Sequence, residues 1–124
     1  MTNEGPAAVQ EAINHLKKQK PVAALTWDSN IAKAARDHVR DSDIHNIVGH
    51  TGSDGSSFVD RLDRYTTREG RSGENIDYGT KSAQEVMLAL LIDDGVPSRG
   101  HRTNIFQEGF MKMGAATSSH PKYG

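Results

Sequence analysis

At 124 residues the chain has room for one domain with a single modest core, since only 35% of its residues are hydrophobic. Fifteen Lys and Arg against sixteen Asp and Glu leave a net charge of −1, with no long run of one sign, which excludes the electrostatic footprint of a nucleic-acid binder. The absence of Cys rules out disulfides and thiolate-based metal or redox sites, and no apolar run reaches the ~18 residues of a membrane-spanning helix. The start, Met1-Thr2-Asn3-Glu4-Gly5-Pro6, is polar and acidic and does not read as a signal peptide.

Residues 6–19 predict a helix: Val9, Ile13 and Leu16 with Ala8 and Ala12 form an apolar stripe, Pro6 suits the first turn, and Pro21 forbids continuation. Leu25-Thr26-Trp27 is a short extended segment, with Trp27 expected in the core, and Asp28 is placed to cap a second helix over 29–41. Ile31, Ala35 and Val39 point inward there, flanked by Ala32, Ala34 and a partly buried His38. So many small residues on one face imply close approach of another element.

Residues 42–57 read as a loop with Gly49, Gly52 and Gly55, followed by a short helix near 57–65 that buries Phe58, Val59 and Leu62. The polar stretch 66–71 is expected as loop, and Ser72–Tyr78 as a short strand. Ser82-Ala83-Gln84-Glu85 is a capping-box signature for a helix running to about Asp93. Val86, Met87, Leu90 and Leu91 would bury that helix, and Gly95 would end it. Asp93–Asn104 then reads as a loop, Phe110–Thr117 as a strand, and Ser118–Gly124 as a turn. Met87, Met111 and Met113 are expected as core filler, and His15, His45 and His120 as surface residues.

Three polar segments carry the chemistry: Gly49-His50-Thr51 with Ser53-Asp54-Gly55, Gly73-Glu74-Asn75-Ile76, and Asp93-Asp94-Gly95 through Gly100-His101-Arg102. Connectors rich in Gly, Pro and Ser do not ordinarily also hold paired carboxylates, His and Arg. We expect the three segments to meet as one polar cleft in which His50 and His101 supply imidazoles and Glu74 with Asp93 or Asp94 supplies carboxylates. Zinc sites without sulfur are built from these side chains, and a carboxylate bonded to an imidazole fixes the tautomer for metal binding or proton transfer. The ordinary alternatives are that Glu74 pairs with an Arg and that Asp93 and Asp94 form a solvated helix end. The latter would oppose the helix dipole.

Taken together, Leu25-Thr26-Trp27-Asp28 leading into Ile31–His38, Gly49-His50-Thr51, Asp54-Gly55-Ser56, Phe58 to Arg61-Leu62, Gly73-Glu74-Asn75-Ile76, Gly100-His101-Arg102 and Asn104-Ile105 resemble the CAP superfamily in its cysteine-free, bacterial-type SCP-like branch. The resemblance implies a single domain over 1–124 of α+β class, a three-layer α-β-α sandwich around a small antiparallel sheet. It also implies that the final strand of that sheet is missing, so an exposed sheet edge is an expected dimerisation site. His50 and His101 take the places of the two His ligands for zinc or another divalent cation, and Glu74 that of the first acid. Asp93 takes the place of a second acid that is normally Glu, with Leu90 where relatives carry Trp. The implied function is an extracellular or periplasmic binding module for a lipid, sterol or protein. The alternative is a metal-assisted, peptidase-like hydrolase using Glu74 and Asp93.

Overall fold

The structure is a computed structural model and describes residues 3–68, 70–80 and 82–124. It divides into two units, one built from Met1–Val22 with Thr80–Glu108 and the other from Ala23–Gly79 with Gly109–Gly124.

In the first unit, Pro6 opens helix α1 (Pro6–Lys18), where its missing N–H is no loss, and Gln19 leaves in extended conformation ahead of Pro21. Ala8 and Ala12 are the buried positions, and the expected stripe is displaced toward them: Ile13 and Leu16 are exposed. Ser82 caps α4 (Ala83–Ile92) by accepting from the Glu85 N–H. That helix packs against α1 and against a short helix over Gly100–Ile105, yet none of its residues is fully buried and Met87 is exposed. An apolar composition on all sides gives a helix no single inward stripe, so only part of it is covered. The helix ends at Ile92 with Asp93 as its C-cap, about where expected. The residue that ends it is Asp93 and not Gly95, because Asp93 itself takes the left-handed conformation (φ 55°) that short polar side chains tolerate. The expected loop 93–104 contains a further helix, α5 (Gly100–Ile105), entered through left-handed Arg99. Gly100 and Pro97 suggested a loop, but neither interrupts the residues from His101 onward.

In the second unit, β1 (Thr26–Trp27) leads into α2 (Ser29–His45), whose N-cap Asp28 accepts from the Asn30 and Ile31 N–H groups at 2.8 and 3.1 Å. Asp28→Ala is expected to cost about 1 kcal/mol in urea denaturation, the usual value of a lost N-cap. The helix runs past the expected end at 41, because no Gly or Pro intervenes before Asn46 closes it in left-handed conformation. Ser57 and Asp60 close a reciprocal capping box on α3 (Phe58–Asp63), which packs against α2. The segment 71–78 holds no strand among its described residues, and the polar run 66–71 is irregular apart from residue 69, which lies outside the described residues.

The sheet is smaller than expected and of the other sense. Of Phe110–Thr117 only Lys112–Met113 forms a strand, β2, and it pairs with β1 in parallel, Thr26 opposite Lys112 and Trp27 opposite Met113. The Thr26 N–H donates to Met111 O and the Asp28 N–H to Met113 O. The long intervening chain, which includes α2, removes the hairpin constraint that would have forced an antiparallel pair. Trp27 is 58% exposed, and with Leu25, Met111 and Met113 it leaves apolar surface on the sheet where core packing was expected.

The buried apolar residues among those described are all alanines: Ala8, Ala12, Ala32 and Ala34. Long polar side chains close the rest of the interior, with Arg61, Arg102, His38, His120 and Asp93 all buried. A chain with few large apolar residues fills space this way only when each buried polar group finds partners. His120, expected at the surface, illustrates it: its Nε2 donates to Ile47 O at 2.8 Å, and its ring meets Tyr78 edge-on and Tyr123 at a tilt.

Candidate functional site

In the second unit, His50 follows the left-handed Gly49 and presents an imidazole that is 55% exposed. Its Nδ1 donates to Glu74 Oε1 at 2.6 Å. The other carboxylate oxygen, Oε2, accepts from Arg61 Nη1 at 2.5 Å, and Arg61 Nη2 donates to the His50 carbonyl at 2.8 Å. Arg61 reaches both from α3 through the interior, so the imidazole, the carboxylate and the intervening backbone are tied by one guanidinium. A planar fork with several donors is suited to this double role in a way that an ammonium is not. Both readings of Glu74 thus hold at once: it pairs with an Arg and it orients a His.

In the first unit, the left-handed turn at Asp93 swings its carboxylate away from the end of α4 and onto the start of α5. Oδ1 accepts from His101 Nδ1 at 2.7 Å, and Oδ2 accepts from the His101 N–H at 2.9 Å. The expected conflict with the helix dipole is therefore absent, since the carboxylate faces the positive end of α5. Asp94 points elsewhere: it accepts from the backbone N–H groups of Asn3 and Glu4 at 2.5 and 2.9 Å. Asp93 is the acid that meets His101.

Each expected imidazole is thus joined to an expected carboxylate through Nδ1, His50 with Glu74 in one unit and His101 with Asp93 in the other. Ligation or proton transfer by either ring would go through Nε2. Among the described residues, no group of three or more His, Asp or Glu gathers as around a metal ion. The donor chemistry of each pair still fits zinc, because a carboxylate bonded to one imidazole nitrogen fixes the tautomer in which the other carries the lone pair.

Sequence reasoning missed Arg61 as the residue that holds the first pair, and Arg102 as the support of the second. Their signal was present: Arg61 lies three residues after Phe58 and beside Leu62, on the inward face of a short helix. Arg102 donates to the carbonyls of Leu91 and Ile92 and to Glu11, closing the end of α4 from which Asp93 turns.

Arg61 also lines a polar cavity of about 270 Å³ with Asp37, Arg40, Asp41, Asp54 and Arg64. The Ser53 hydroxyl and N–H hold the Asp41 carboxyl below its ordinary range, and those of Ser56 do the same for Asp54. Both carboxylates are thereby kept ionised and fix the turn after His50.

The profile of the cysteine-rich secretory protein family, CAP, matches residues 10–124. The chain belongs to this family, although it carries no Cys itself. It is also similar to the uncharacterized protein YkwD of Bacillus subtilis (strain 168), with 28% identity over 106 residues. That match covers 86% of this chain and 39% of the relative, so the chain spans about two fifths of the relative's length. No solved structure matches the chain at a significant level. Among the described residues no helix is long and apolar enough to cross a membrane.

Proposed function

We propose that residues 1–124 act as a single CAP-type binding module of extracellular or periplasmic kind, in which His50 and His101 are ligands for divalent cations, zinc by donor chemistry. The supporting observation is the Nδ1–carboxylate bond made by each ring, at 2.6 Å for His50 and 2.7 Å for His101. Glu74 and Asp93 orient the rings and fix the tautomer in which they act as ligands. The ion would supply Lewis acidity to a bound group, whereas the protein residues supply orientation. A lipid, sterol or protein is the ligand class that family membership favours.

Binding is preferred over metal-assisted hydrolysis because of Glu74. Both its oxygens accept hydrogen bonds from side chains, so it is held as an orienting group and is poorly placed to take a proton from water. Asp93, 3% exposed and bonded to His101, is similarly committed.

Calorimetric titration with zinc is expected to show binding at about pH 7.5 that weakens at about pH 5.5, since protons compete with a metal ion for its ligands. The His50→Ala, His101→Ala double variant should lose at least about tenfold in affinity; unchanged binding would refute the metal reading. One zinc per chain, lost with either single variant, would mark a shared ion, and two lost separately would mark independent sites. Turnover of a peptide or ester, abolished in Glu74→Gln while zinc still binds, would replace the binding reading with the hydrolase.

A further inference from the structure

His50 stands on a loop that its own sequence does not hold still. Gly49 precedes it at φ 107°, a conformation that gives the chain a turn but no rigidity, and the imidazole is largely in solvent. Ordering comes instead from side chains on other segments. The Gly49 N–H donates to the Tyr78 hydroxyl at 2.8 Å, and the Gly49 carbonyl accepts from His38 Nε2 at 2.7 Å. The next carbonyl, that of His50, accepts from Arg61. Tyr78 is in turn wedged against the rings of His120 and Tyr123, with centroids 5.4 and 5.0 Å away.

The two peptide groups flanking the His50 α-carbon are thus gripped from α2 and from α3, and the peptide before Gly49 is gripped from the 71–78 segment. His38 is informative because it is buried and its Nδ1 has no hydrogen-bond partner among the described residues. Among the described residues this buried ring makes one hydrogen bond, to the Gly49 carbonyl, so the ring's chemistry is spent on the loop.

We infer that His38, Tyr78 and Arg61 are positioning residues that fix the Gly49–His50 backbone, hold His50 in the Nδ1–H tautomer against Glu74, and so present Nε2 outward as the binding nitrogen. The inference deepens the metal-binding reading and rests on it for affinity alone; the tautomer is a property of the metal-free chain. A flexible Gly-containing loop would otherwise have to be ordered at the moment of binding, and pre-ordering removes that cost.

The test is long-range proton–nitrogen NMR on the metal-free, nitrogen-15-labelled chain, followed by zinc titration. The parent should show His50 with its proton on Nδ1. Tyr78→Phe, which removes one oxygen and keeps the ring, should convert His50 to a mixture of tautomers and weaken zinc binding by about tenfold. His38→Leu should do the same, and His38→Gln, which returns an amide donor close to the position of Nε2, should restore the parent tautomer. If Tyr78→Phe and His38→Leu both fold and shift only the unfolding midpoint, leaving the His50 tautomer as in the parent, the positioning role is overturned. If the tautomer responds as expected while the parent binds no zinc, the positioning role stands and the metal reading alone falls.

Discussion

Gly114→Ala is expected to destabilise the protein by about 3 kcal/mol, the upper end of the usual cost of overpacking. A Cβ at this position would sit 2.1 Å from Ala32 N and 2.6 Å from Ile31 C, inside the backbone of α2. Flexible side-chain atoms can rotate away from such an intrusion, but a helical backbone cannot. The segment after β2 and the start of α2 would have to separate, and the buried Ala32 would lose its contact. Gly100→Ala is the matched control: its Cβ would meet only Ser98 Oγ at 3.6 Å, an ordinary contact, in a helical position where Ala is favoured over Gly. Urea denaturation of both variants checks this. A Gly114→Ala loss below about 1 kcal/mol would mean that the close approach is not what holds β2 to α2.

Arg102→Met is expected to cost a similar amount, about 3 kcal/mol, because removing a buried charged donor leaves part-buried acceptors unsatisfied. Arg102 is 2% exposed; its Nε donates to Leu91 O at 2.6 Å and its Nη2 to Ile92 O at 3.3 Å. Methionine fills much of the volume but offers no N–H, so the carbonyls at the end of α4 lose their partners. Arg102→Lys should recover little, since one ammonium cannot replace a fork that also reaches Glu11. The pH dependence supplies an independent check. Glu11 titrates below the ordinary glutamate value because Arg102 donates to it, with Arg99 adding a second bond. A depressed carboxyl contributes stability that is present above its unfolded pKa and is lost as pH falls through its folded one. The parent should therefore weaken on acidification through and below the ordinary glutamate range. Arg102→Met should show a shallower acid limb, and an equally steep limb would remove Glu11 as its source.

Much of the local structure was legible because its causes are local. Asp28, Ser57 and Ser82 mark helix starts through bonds to residues two or three positions away, Pro6 marks one through its fixed φ and missing N–H, and those starts lie within a residue or so of the expected places. Helix ends were less legible. Asn46 closes α2 well past the expected end at 41, and Asp93 closes α4 about where expected but by taking the left-handed conformation itself, a role that Gly95 seemed better suited to play. The burial pattern was least legible. Trp27 and Met111 are exposed and His120 is buried, because burial depends on which segments arrive opposite a residue, and periodicity carries no information about that.

The site divides along the same line. His50, Glu74, His101 and Asp93 were identifiable from residue type, Gly neighbours and family resemblance. The choice of Asp93 over Asp94 came from a single backbone turn, which aims one carboxylate at α5 and sends the next to Asn3 and Glu4.

By itself the amino-acid sequence determined the helix starts, the absence of thiolate chemistry, the family and the side chains available for ligation. Tertiary structure alone decided that β1 and β2 run parallel, that Arg61 and Arg102 occupy the interior, and that each imidazole has its own carboxylate. The physical reason is range: caps and turns are written within four residues, whereas pairings such as Arg61 with Glu74 or Gly114 with Ala32 depend on where distant segments come to rest.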